Sequence, residues 1–573
     1  MTRSLANQFG ITKPLLLLLL VSIVSTQANA ETTLFTNAEV ITLDPKYPSA
    51  NSVLVRAGKI VQVGDFSELS KSIKTSDSTI NLNGATLAPG FIDAHGHLSS
   101  TILAQGWIDV SSPPVGSAKS VEDIVTILQA AQTAETPSTG DWIIGAGYDD
   151  SLLVEQRHPT KLDLDKVSTS QPVAVIHVSG HFLACNSVCL KTVGITAETP
   201  DPKGGIIRRL ADNEPDGVLE ETAWLMAYAK FPILDIETRQ KHLEMAQKYY
   251  ASFGITTVQD GAMQMGELAF IQDAAERDLL WLDVVAYPYL AFFGEKLKQV
   301  RSQRNYQNHF RIGGVKLVLD GSPQGKTAWL SKPYLHPPHG QDENYLGYPT
   351  LTEPVLDDHL QAAFVNGTQV LAHANGDAAS DQLLKAVSKA NELQGQADRR
   401  TVMIHAQTVR EDQIDAMKAQ GVMPSYFSAH TFYWGDWHRD SVFGKERASR
   451  ISPLKSSVDK NLPFTTHNDT PIVPPDMMRL MWASVNRITR SGQVLGADQR
   501  ITPEQALRSI TLNAAHQYFE ESDKGSITPG KLADMVVLSQ NPLTVDPLTI
   551  KDIQVLATYK EGKKVFSIEA DAP

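Results

Sequence analysis

The chain has 573 residues, of which 42% are hydrophobic and 20% charged, a balance typical of large packed proteins that excludes a disordered chain. Its formal net charge is −13, and it becomes −15 without residues 1–30, which carry Arg3 and Lys13 and no acidic residue. This acidic balance argues against nucleic acid as a partner.

Residues 1–30 are predicted to be a secretory signal peptide. Two basic residues flank or precede the apolar run 15–24, and Ala28-Asn29-Ala30 has the small-x-small pattern of a signal peptidase site. The run is about half as long as a membrane-spanning helix, which disfavours a membrane anchor. No cysteine follows the site, so a lipoprotein is excluded. We expect an exported protein, periplasmic in a source with two membranes and without an anchor after cleavage.

The next segment, 31–88, and the last one, 522–573, have the same sequence pattern. Both consist of short alternating runs that favour strands, divided by Gly, Asn and Pro turn signals. We predict that they pair into one small β-sandwich domain built from both chain ends. Residues 89–521 are then left as an uninterrupted catalytic unit.

Strand-like and helix-like runs alternate within 89–521. The eight predicted strands are 87–95, 254–261, 282–290, 315–321, 368–376, 401–407, 422–430 and 462–469. This order predicts an α/β fold of the (β/α)8 TIM barrel type, whose chemistry lies at the carboxyl ends of the strands. The unusually long segment 101–253 between the first two strands is predicted to form an inserted substrate lobe above the barrel mouth.

Residues able to bind a metal stand at the ends of five of these strands. His95 and His97 project to the same side because strand side chains alternate. A lone histidine among apolar residues is usually a hydrogen-bonded core residue, but imidazole and carboxylate groups at successive strand ends form a ligand set that suits zinc. The predicted metal ligands are His95, His97, Lys316, His373, His405 and Asp469.

The motifs TLAPGFIDAHGH, GGVKLVLDGS, HANGD, IHAQ, THNDTP and ITPGKLADMVVL resemble those of the amidohydrolase superfamily, in particular its YtcJ/AepA-like branch. The lobe motifs GAGYDD, SGHFLACNS and GGIIRRLADNEPDGVLEETA resemble the insertion of that branch. The resemblance runs from about residue 31 to the carboxyl terminus. It implies hydrolysis of C–N bonds in amides and cyclic amides, with deformylation of N-substituted formamides among the activities.

The resemblance also implies roles for individual residues. His95, His97 and Asp469 would hold one metal ion, His373 and His405 a second, and a carboxylated Lys316 would bridge the two. We therefore expect a divalent metal, Zn²⁺ by its ligands, as one or two ions per chain. Asp469 would take the proton of an attacking metal-bound hydroxide and deliver it to the leaving nitrogen. His467, where many relatives have a serine before the aspartate motif, is an additional ionisable neighbour.

Several other residues are candidates with a structural alternative. His181, Tyr148, His430 and Trp434 are predicted substrate-binding residues, although aromatic side chains are mostly packing residues. Asp260 and Asp320 are alternatives to Asp469 as the carboxylate that carries the proton. Each precedes a glycine, however, as a turn or cap residue would. Cys185 and Cys189 are four apart on a segment predicted to be helical, which favours packed thiols over a strained bridge.

The leading function is therefore an exported metal-dependent hydrolase of carbon–nitrogen bonds other than peptide bonds, acting on a small-molecule substrate. The same centre could attack an ester, lactone or phosphoester, because the pocket selects the electrophile, or it could serve a metal-assisted isomerase. A non-enzymatic regulatory or binding protein is disfavoured because it gives no reason for the complete ligand set. The sequence leaves the oligomeric state open, with a homodimer as one option.

Overall fold

The computed structural model describes residues 31–133, 142–338 and 340–568, so the predicted signal peptide lies outside the described residues. The first strands are β1 Thr32–Thr36, β2 Glu39–Val40, β3 Ser52–Arg56, β4 Lys59–Gly64, β5 Ser78–Asn81, β6 Thr86–Pro89 and β7 Phe91–Ile92. The inserted segment contributes β8 Ile108–Asp109, β9 Ile143–Tyr148, β10 Val173–His177, β11 Phe182–Cys185, β12 Gly205–Arg209 and β13 Pro215–Glu221.

The remaining strands follow in the second half of the chain. They are β14 Ile255–Met263, β15 Asp283–Pro288, β16 Phe310–Ile312, β17 Gly314–Val318, β18 Gln369–Ala374, β19 Thr401–His405, β20 Val422–Tyr426, β21 Thr465–Thr466, β22 Met535–Leu538, β23 Val555–Lys560 and β24 Lys563–Ser567.

The longer helices mostly lie between these strands. Those of the central unit are Leu98–Ala104, Ile236–Ser252, Met265–Glu276, Glu353–Val365, Asp377–Gln394, Glu411–Gln420, Leu454–Asp459, Met477–Asn486, Pro503–Ser509 and Leu512–Gln517. The lobe has Val121–Thr133, Lys161–Leu164, Ser187–Val193 and Trp224–Tyr228. Short helices are Phe66–Leu69, Leu290–Phe293, His430–Tyr433, Gly435–Trp437 and Lys445–Ala448.

The two ends of the chain meet in a pair of mixed sheets. One has the order β4-β3-β1-β5, and the other, β2-β6-β22-β23-β24, combines strands from both ends. Phe35 and Val53 from the first sheet share one apolar core with Leu87, Met535 and Tyr559 from the second. Strands from both end segments therefore lie in one sheet and contribute to one core.

Parallel strands form the centre of the molecule. They lie in two sheets, β16-β15-β14-β7 and β17-β18-β19-β20-β21. A parallel bridge between Tyr289 and Lys316 joins the sheets along one side. On the other side the backbone N–H of His97 donates to the carbonyl of Thr470 at 2.8 Å. The central unit is thus an α/β assembly in which helices pack on parallel strands.

Two strands of the central unit are interrupted at a glycine, and the predicted strands included neither interruption. The predicted first strand is divided at Gly90, because β6 pairs with β22 of the end sheets while β7 pairs with β14. The predicted fourth strand extends further back, through β16, and is divided at Gly313. A Cβ on Gly314 would lie 2.2 Å from the carbonyl oxygen of Gln369, so only glycine permits this close approach of β17 to β18.

The inserted segment forms its own six-stranded sheet with the order β12-β13-β11-β10-β9-β8. Its last part behaves differently from the prediction, because Leu243 and Tyr250 of the helix Ile236–Ser252 pack in the main hydrophobic core of the central unit. Within the described ranges no helix has both the length and the apolar character needed to cross a membrane.

The expectation of packed thiols is wrong, because Cys185 and Cys189 are joined in a disulfide. The predicted helix does not include both residues. Cys185 ends β11 and Cys189 lies in the following helix Ser187–Val193, so the chain turns between them and brings their Cα atoms to 5.4 Å.

Candidate metal centre and active site

The carboxyl ends of the parallel strands bring the six predicted ligand residues together. His95 and His97 follow β7, Lys316 lies in β17, and His373 lies in β18. His405 ends β19, and Asp469 follows β21. Because parallel strands end at a common edge, side chains that are far apart in the chain meet here.

Asp469 is the shared contact of this cluster. Its Oδ1 lies 3.0 Å from Nε2 of His97 and 3.4 Å from Nε2 of His95. Its Oδ2 lies 3.9 Å from Nε2 of His405. One ligand atom each from His95, His405 and Asp469 lies within 4.8 Å of the others, so these three residues could hold a cation.

Lys316 and His373 complete the cluster. Nζ of Lys316 lies 3.1 Å from Nε2 of His95, and the rings of His373 and His405 have centroids 4.5 Å apart. The six side chains therefore form one continuous group of imidazole, amine and carboxylate functions. Their roles as metal ligands remain a prediction that the contacts support.

Burial sets the protonation of these groups. It lowers the pKa of His95 and His405 well below the ordinary histidine value and lowers that of His373, which leaves the imidazoles neutral at neutral pH. Burial also lowers the pKa of Lys316 to about 7. For Asp469 burial would raise the pKa, but the hydrogen bond from His97 and the surrounding imidazoles hold it well below its usual range.

The backbone at two of these residues adopts an uncommon conformation. His405 has φ of 72° and Asp469 has φ of 58°, in the left-handed region that few residues other than glycine occupy. Such conformations persist where the surrounding structure fixes them, and they concentrate at functional sites. Here they turn the side chains of two strand ends toward the same cluster.

Three residues that were not among the predicted site residues contact the Nδ1 atoms of the histidines. They are Gln259, Asp320 and His467. Nδ1 of His95 lies 2.5 Å from Oε1 of Gln259, and Nδ1 of His373 lies 3.1 Å from Oδ1 of Asp320. Nδ1 of His405 lies 3.2 Å from Nε2 of His467. Gln259 lies within β14, whose sequence ITTVQDGAM mixes polar and apolar residues, so no signal in the sequence singles it out.

The structure assigns different positions to the two rival carboxylates. Asp320 also accepts backbone N–H bonds from Asn375 and Gly376, at 3.0 and 2.7 Å, so it performs the structural task that the sequence suggested. Asp260 does not lie in a turn. It is inside β14 and accepts the backbone N–H of Ser99 at 2.9 Å.

His181 in the lobe lies beside a carboxylate. Its Nδ1 lies 2.9 Å from Oε2 of Glu221. Burial would lower the pKa of His181, but the carboxylate of Glu221 outweighs burial and raises it. The charges of Asp320 and Asp469 also raise the pKa of His181. Substrate binding by His181 stays a prediction.

The other predicted substrate residues are buried and hydrogen-bonded. The hydroxyl of Tyr148 lies 2.9 Å from Nδ1 of His158, and Nδ1 of His430 lies 3.0 Å from Nε2 of His438. The indole N–H of Trp434 donates to Asp149 at 2.7 Å. These hydrogen bonds give each of the three side chains a partner within the protein. Their contact with substrate stays a prediction.

The lobe contains a second group of metal-type side chains. Asp149, Asp150 and His177 each offer an atom within 4.8 Å of the others. Nε2 of His177 lies 3.0 Å from Asp150, while its Nδ1 accepts the backbone N–H of Ser179 at 3.1 Å. Trp434 and Ser151 donate to Asp149. The group is satisfied by hydrogen bonds, which fits a structural network.

Comparison with known proteins gives the family. The model of the amidohydrolase family matches residues 78–566. The chain belongs to this family. Membership confirms the resemblance stated from the motifs and the prediction that the protein is a metal-dependent hydrolase of carbon–nitrogen bonds.

Several relatives are similar to this chain over nearly their whole length. The chain is 29% identical to Protein LONG AFTER FAR-RED 3 of Arabidopsis thaliana, over 93% of this chain and 91% of that protein. It is 28% identical to N-substituted formamide deformylase of Arthrobacter pascens, over 92% and 96%, and 27% identical to putative amidohydrolase YtcJ of Bacillus subtilis, over 90% and 96%.

A solved structure shows the same fold. An uncharacterized metal-dependent hydrolase from Pyrococcus horikoshii superposes with a TM-score of 0.72 at 24% identity, covering 90% of this chain and 99% of that one. At this identity the likeness is evidence for fold alone. It agrees with the α/β enzyme fold of the family.

Proposed function

We propose that the protein is an exported amidohydrolase that cleaves a non-peptide amide or cyclic amide bond at a metal centre on the strand ends. The observation that carries the proposal is the convergence of His95, His405 and Asp469 within 4.8 Å, each with a ligand atom available. A cluster of this kind at the carboxyl ends of parallel strands is where catalysis occurs in folds of this class.

The donor set fits a divalent cation. His95 and His405 are neutral imidazoles, and Asp469 is ionised. Each of the two histidines has Nδ1 engaged with a neighbour and Nε2 directed toward Asp469. Nitrogen and oxygen donors suit Zn²⁺, and the contacts at Nδ1 hold the two imidazole rings in place for it. We propose one or two ions per chain.

A bound cation would supply an activated water and would polarise the carbonyl oxygen of the substrate. Asp469 then performs the proton transfers. Its ionised carboxylate takes a proton from the attacking water and returns it to the nitrogen that leaves. Without that proton an amide nitrogen is a poor leaving group.

Lys316 is proposed to be carboxylated on its amine. Burial lowers its pKa to about 7, so a substantial fraction of the amine is neutral at neutral pH and can react with CO₂. The resulting carbamate would add an anionic oxygen ligand pair beside His95, whose Nε2 is 3.1 Å from Nζ. A bridge between two ions is the role that this position would have.

We also infer that the two parallel sheets are halves of one (β/α)8 barrel and that the end segments form a β-sandwich domain. β16 and β17 follow each other across Gly313, so one strand supplies an edge to each half. Contacts at Tyr289–Lys316 and at His97–Thr470 connect the halves on both sides. The inserted sheet β8 to β13 is the substrate lobe of this arrangement.

The similar formamide deformylase suggests the first substrates to test. We propose small N-substituted formamides and related N-acyl amines, followed by cyclic amides. Trials with matched esters and lactones belong in the same screen, because the centre can attack any suitable carbonyl. Hydrolysis of esters at higher kcat/KM than every amide would overturn the assignment to C–N bonds.

Export remains part of the proposal because residues 1–30 have the signal peptide pattern. The mature protein is expected to begin at Glu31 and to lie in the periplasm if the source has two membranes. Amino-terminal sequencing of the active protein tests this. An active chain that begins at Met1 or Thr2 would show that it is not processed as proposed.

A further inference from the structure

Two histidines of the cluster, His95 and His373, share one arrangement of ring nitrogens. In His95 and His373, Nδ1 faces an oxygen, that of Gln259 at 2.5 Å and that of Asp320 at 3.1 Å. The carboxamide oxygen and the carboxylate oxygen are the acceptors in these contacts, so the proton of each neutral imidazole is on Nδ1. Nε2 therefore keeps its lone pair.

His405 differs because the neighbour of its Nδ1 is another imidazole. Nε2 of His467 lies at 3.2 Å, and an imidazole nitrogen can donate or accept. The chain of contacts continues, since Nδ1 of His467 lies 2.8 Å from Oγ of Ser425. Both His467 and Ser425 are fully buried, with 0% of their surface exposed, so water does not compete for these atoms.

Two proton arrangements satisfy this chain. In one, His405 donates from Nδ1 to His467, and His467 donates from its own Nδ1 to Ser425. In the other, Ser425 donates to His467, which donates to His405 and leaves the proton of His405 on Nε2. Only the first arrangement gives His405 a free lone pair on the side of Asp469, whose Oδ2 is 3.9 Å away.

We propose that His467 is a positioning residue that selects the metal-binding tautomer of His405 by accepting a hydrogen bond from its Nδ1–H and donating its own Nδ1–H to Ser425. The proposal rests on the proposed metal centre. His467 would thus act on His405 as Gln259 acts on His95. Partners of this kind fix ring orientation and raise the basicity of the ligand atom.

The surroundings hold His467 in place for this task. Its backbone N–H donates to the carbonyl of Tyr426 at 3.1 Å, and Ser425 is the preceding residue of the same strand. Its ring contacts those of Phe427 and His95, with centroids 5.3 and 5.2 Å away. Both the main chain and the side chain of His467 are therefore hydrogen-bonded to residues of β20.

The test is a zinc competition titration of the full mature chain after metal removal, with a chromophoric chelator as competitor. His467→Phe keeps a planar ring but cannot accept the hydrogen bond from His405, and it should weaken the affinity for zinc about 10–100-fold. Ser425→Ala should weaken it in the same direction to a smaller extent. His467→Gln should restore much of the affinity, because its carboxamide oxygen can accept as that of Gln259 does.

His359→Phe is the matched control, since it makes the same replacement of a buried histidine on the helix Glu353–Val365 and should leave zinc affinity unchanged. Circular dichroism establishes that each variant is folded. If His467→Phe does not fold, Ser425→Ala and His467→Gln decide, and weaker binding in the former with near-normal binding in the latter supports the proposal.

Unchanged zinc affinity in folded His467→Phe or in Ser425→Ala would overturn the proposal. Loss of one whole ion at saturating zinc in both His467→Phe and His467→Gln would also overturn it, because His467 would then be a ligand itself. A wild-type chain that binds no zinc would instead refute the proposed metal centre before any variant is compared.

Discussion

At the scale of single residues, Asp469 combines two properties that a proton carrier at a metal centre needs. It is ionised at neutral pH, and it lies within 4 Å of three imidazoles, two that follow β7 and one that ends β19. Its backbone has φ of 58°, in the left-handed region that few residues other than glycine adopt. We infer that the side chain is held for chemistry as well as for binding.

Asp469→Asn should lower turnover by about 10²–10⁴-fold or more, because the amide cannot accept the proton of the attacking water. Substrate binding should change little, since the other five side chains of the cluster remain. Metal content must be measured on the same sample. A variant that retains its metal and turns over at a near-normal rate would show that another group carries the proton.

Lys316→Ala should lose metal and activity, because it removes the side chain proposed to be carboxylated. Addition of a short-chain carboxylic acid should restore part of both, since the acid can occupy the space and supply the two oxygens. Metal content and hydrolysis are measured with and without the acid. Full activity with one bound ion in this variant would contradict the bridging role.

The residues that converge at the strand ends could be predicted from the sequence, while the residues behind them could not. The strand-end positions of His95, His373 and His405 follow from local pattern. Their partners Gln259 and His467 come from other strands, and a one-dimensional pattern carries no information on which strand lies beside which. The raised pKa of His181 likewise depends on a contact with Glu221, 40 residues away.

At the scale of elements, the junction between β16 and β17 determines where Lys316 lies. Gly313 and Gly314 occupy the point where the chain leaves one parallel sheet and enters the other. A Cβ at Gly314 would approach backbone atoms of Gln369, which cannot move away as a side chain end can. The close pairing of β17 with β18 therefore requires glycine.

Gly314→Ala is expected to destabilise the protein by about 1–3 kcal/mol, as overpacking against a fixed neighbour does. Gly266→Ala is the control, because a Cβ there meets nothing within 4 Å and the residue lies in the helix Met265–Glu276. That change should be neutral or stabilising by up to about 1 kcal/mol. Urea unfolding of both variants measures the difference, and equal stabilities would contradict the packing argument.

The kind and order of the central elements were predictable, but their limits were not. Alternating apolar runs between amphipathic stretches predicted the parallel strands. The break at Gly90 was missed because the apolar pattern continues across it and pairing alone separates β6 from β7. The strand β16 was missed because the predicted fourth strand begins only at Val315. The Cys185–Cys189 bridge was misjudged because the segment was taken as one helix and not as a strand followed by a helix.

At the scale of the whole molecule, buried charges connect the central unit to the carboxyl-terminal strands. Oδ2 of Asp283 in β15 lies 2.6 Å from Nζ of Lys524 and 2.7 Å from Nζ of Lys560. Lys560 also contacts Asp534 at 2.9 Å. These groups are nearly inaccessible to water, so each charge depends on its partners.

Lys560→Met should lower the free energy of unfolding by about 3–5 kcal/mol, because it leaves carboxylates buried with fewer partners. Lys551→Met, at an ion pair with the exposed Asp552, is the comparison and should cost about 1 kcal/mol or less. Chemical denaturation measures both. A cost for Lys560→Met as small as that of the surface pair would show that the network does not hold the units together.

The pH dependence of stability should follow the same network. Burial would raise the pKa of Asp283, but Lys524 and Lys560 hold it well below its usual range. A depressed carboxyl pKa contributes stability above the ordinary value of about 4, and that contribution is lost as the pH falls through the folded value. The difference between wild type and Lys560→Met should therefore be largest near neutral pH and shrink in acid. A difference that stays constant down to about pH 2 would contradict this.

The most direct test of the central claim is a zinc titration of the metal-free mature chain while hydrolysis of a panel of N-substituted formamides and other N-acyl amines is followed. The account predicts no hydrolysis without metal. Activity should return in proportion to bound zinc and saturate at one or two ions per chain, and it should not return in His95→Ala or His405→Ala. Full hydrolysis by the metal-free chain, or full recovery in either variant, would contradict a metal-dependent hydrolase centred on these strand ends.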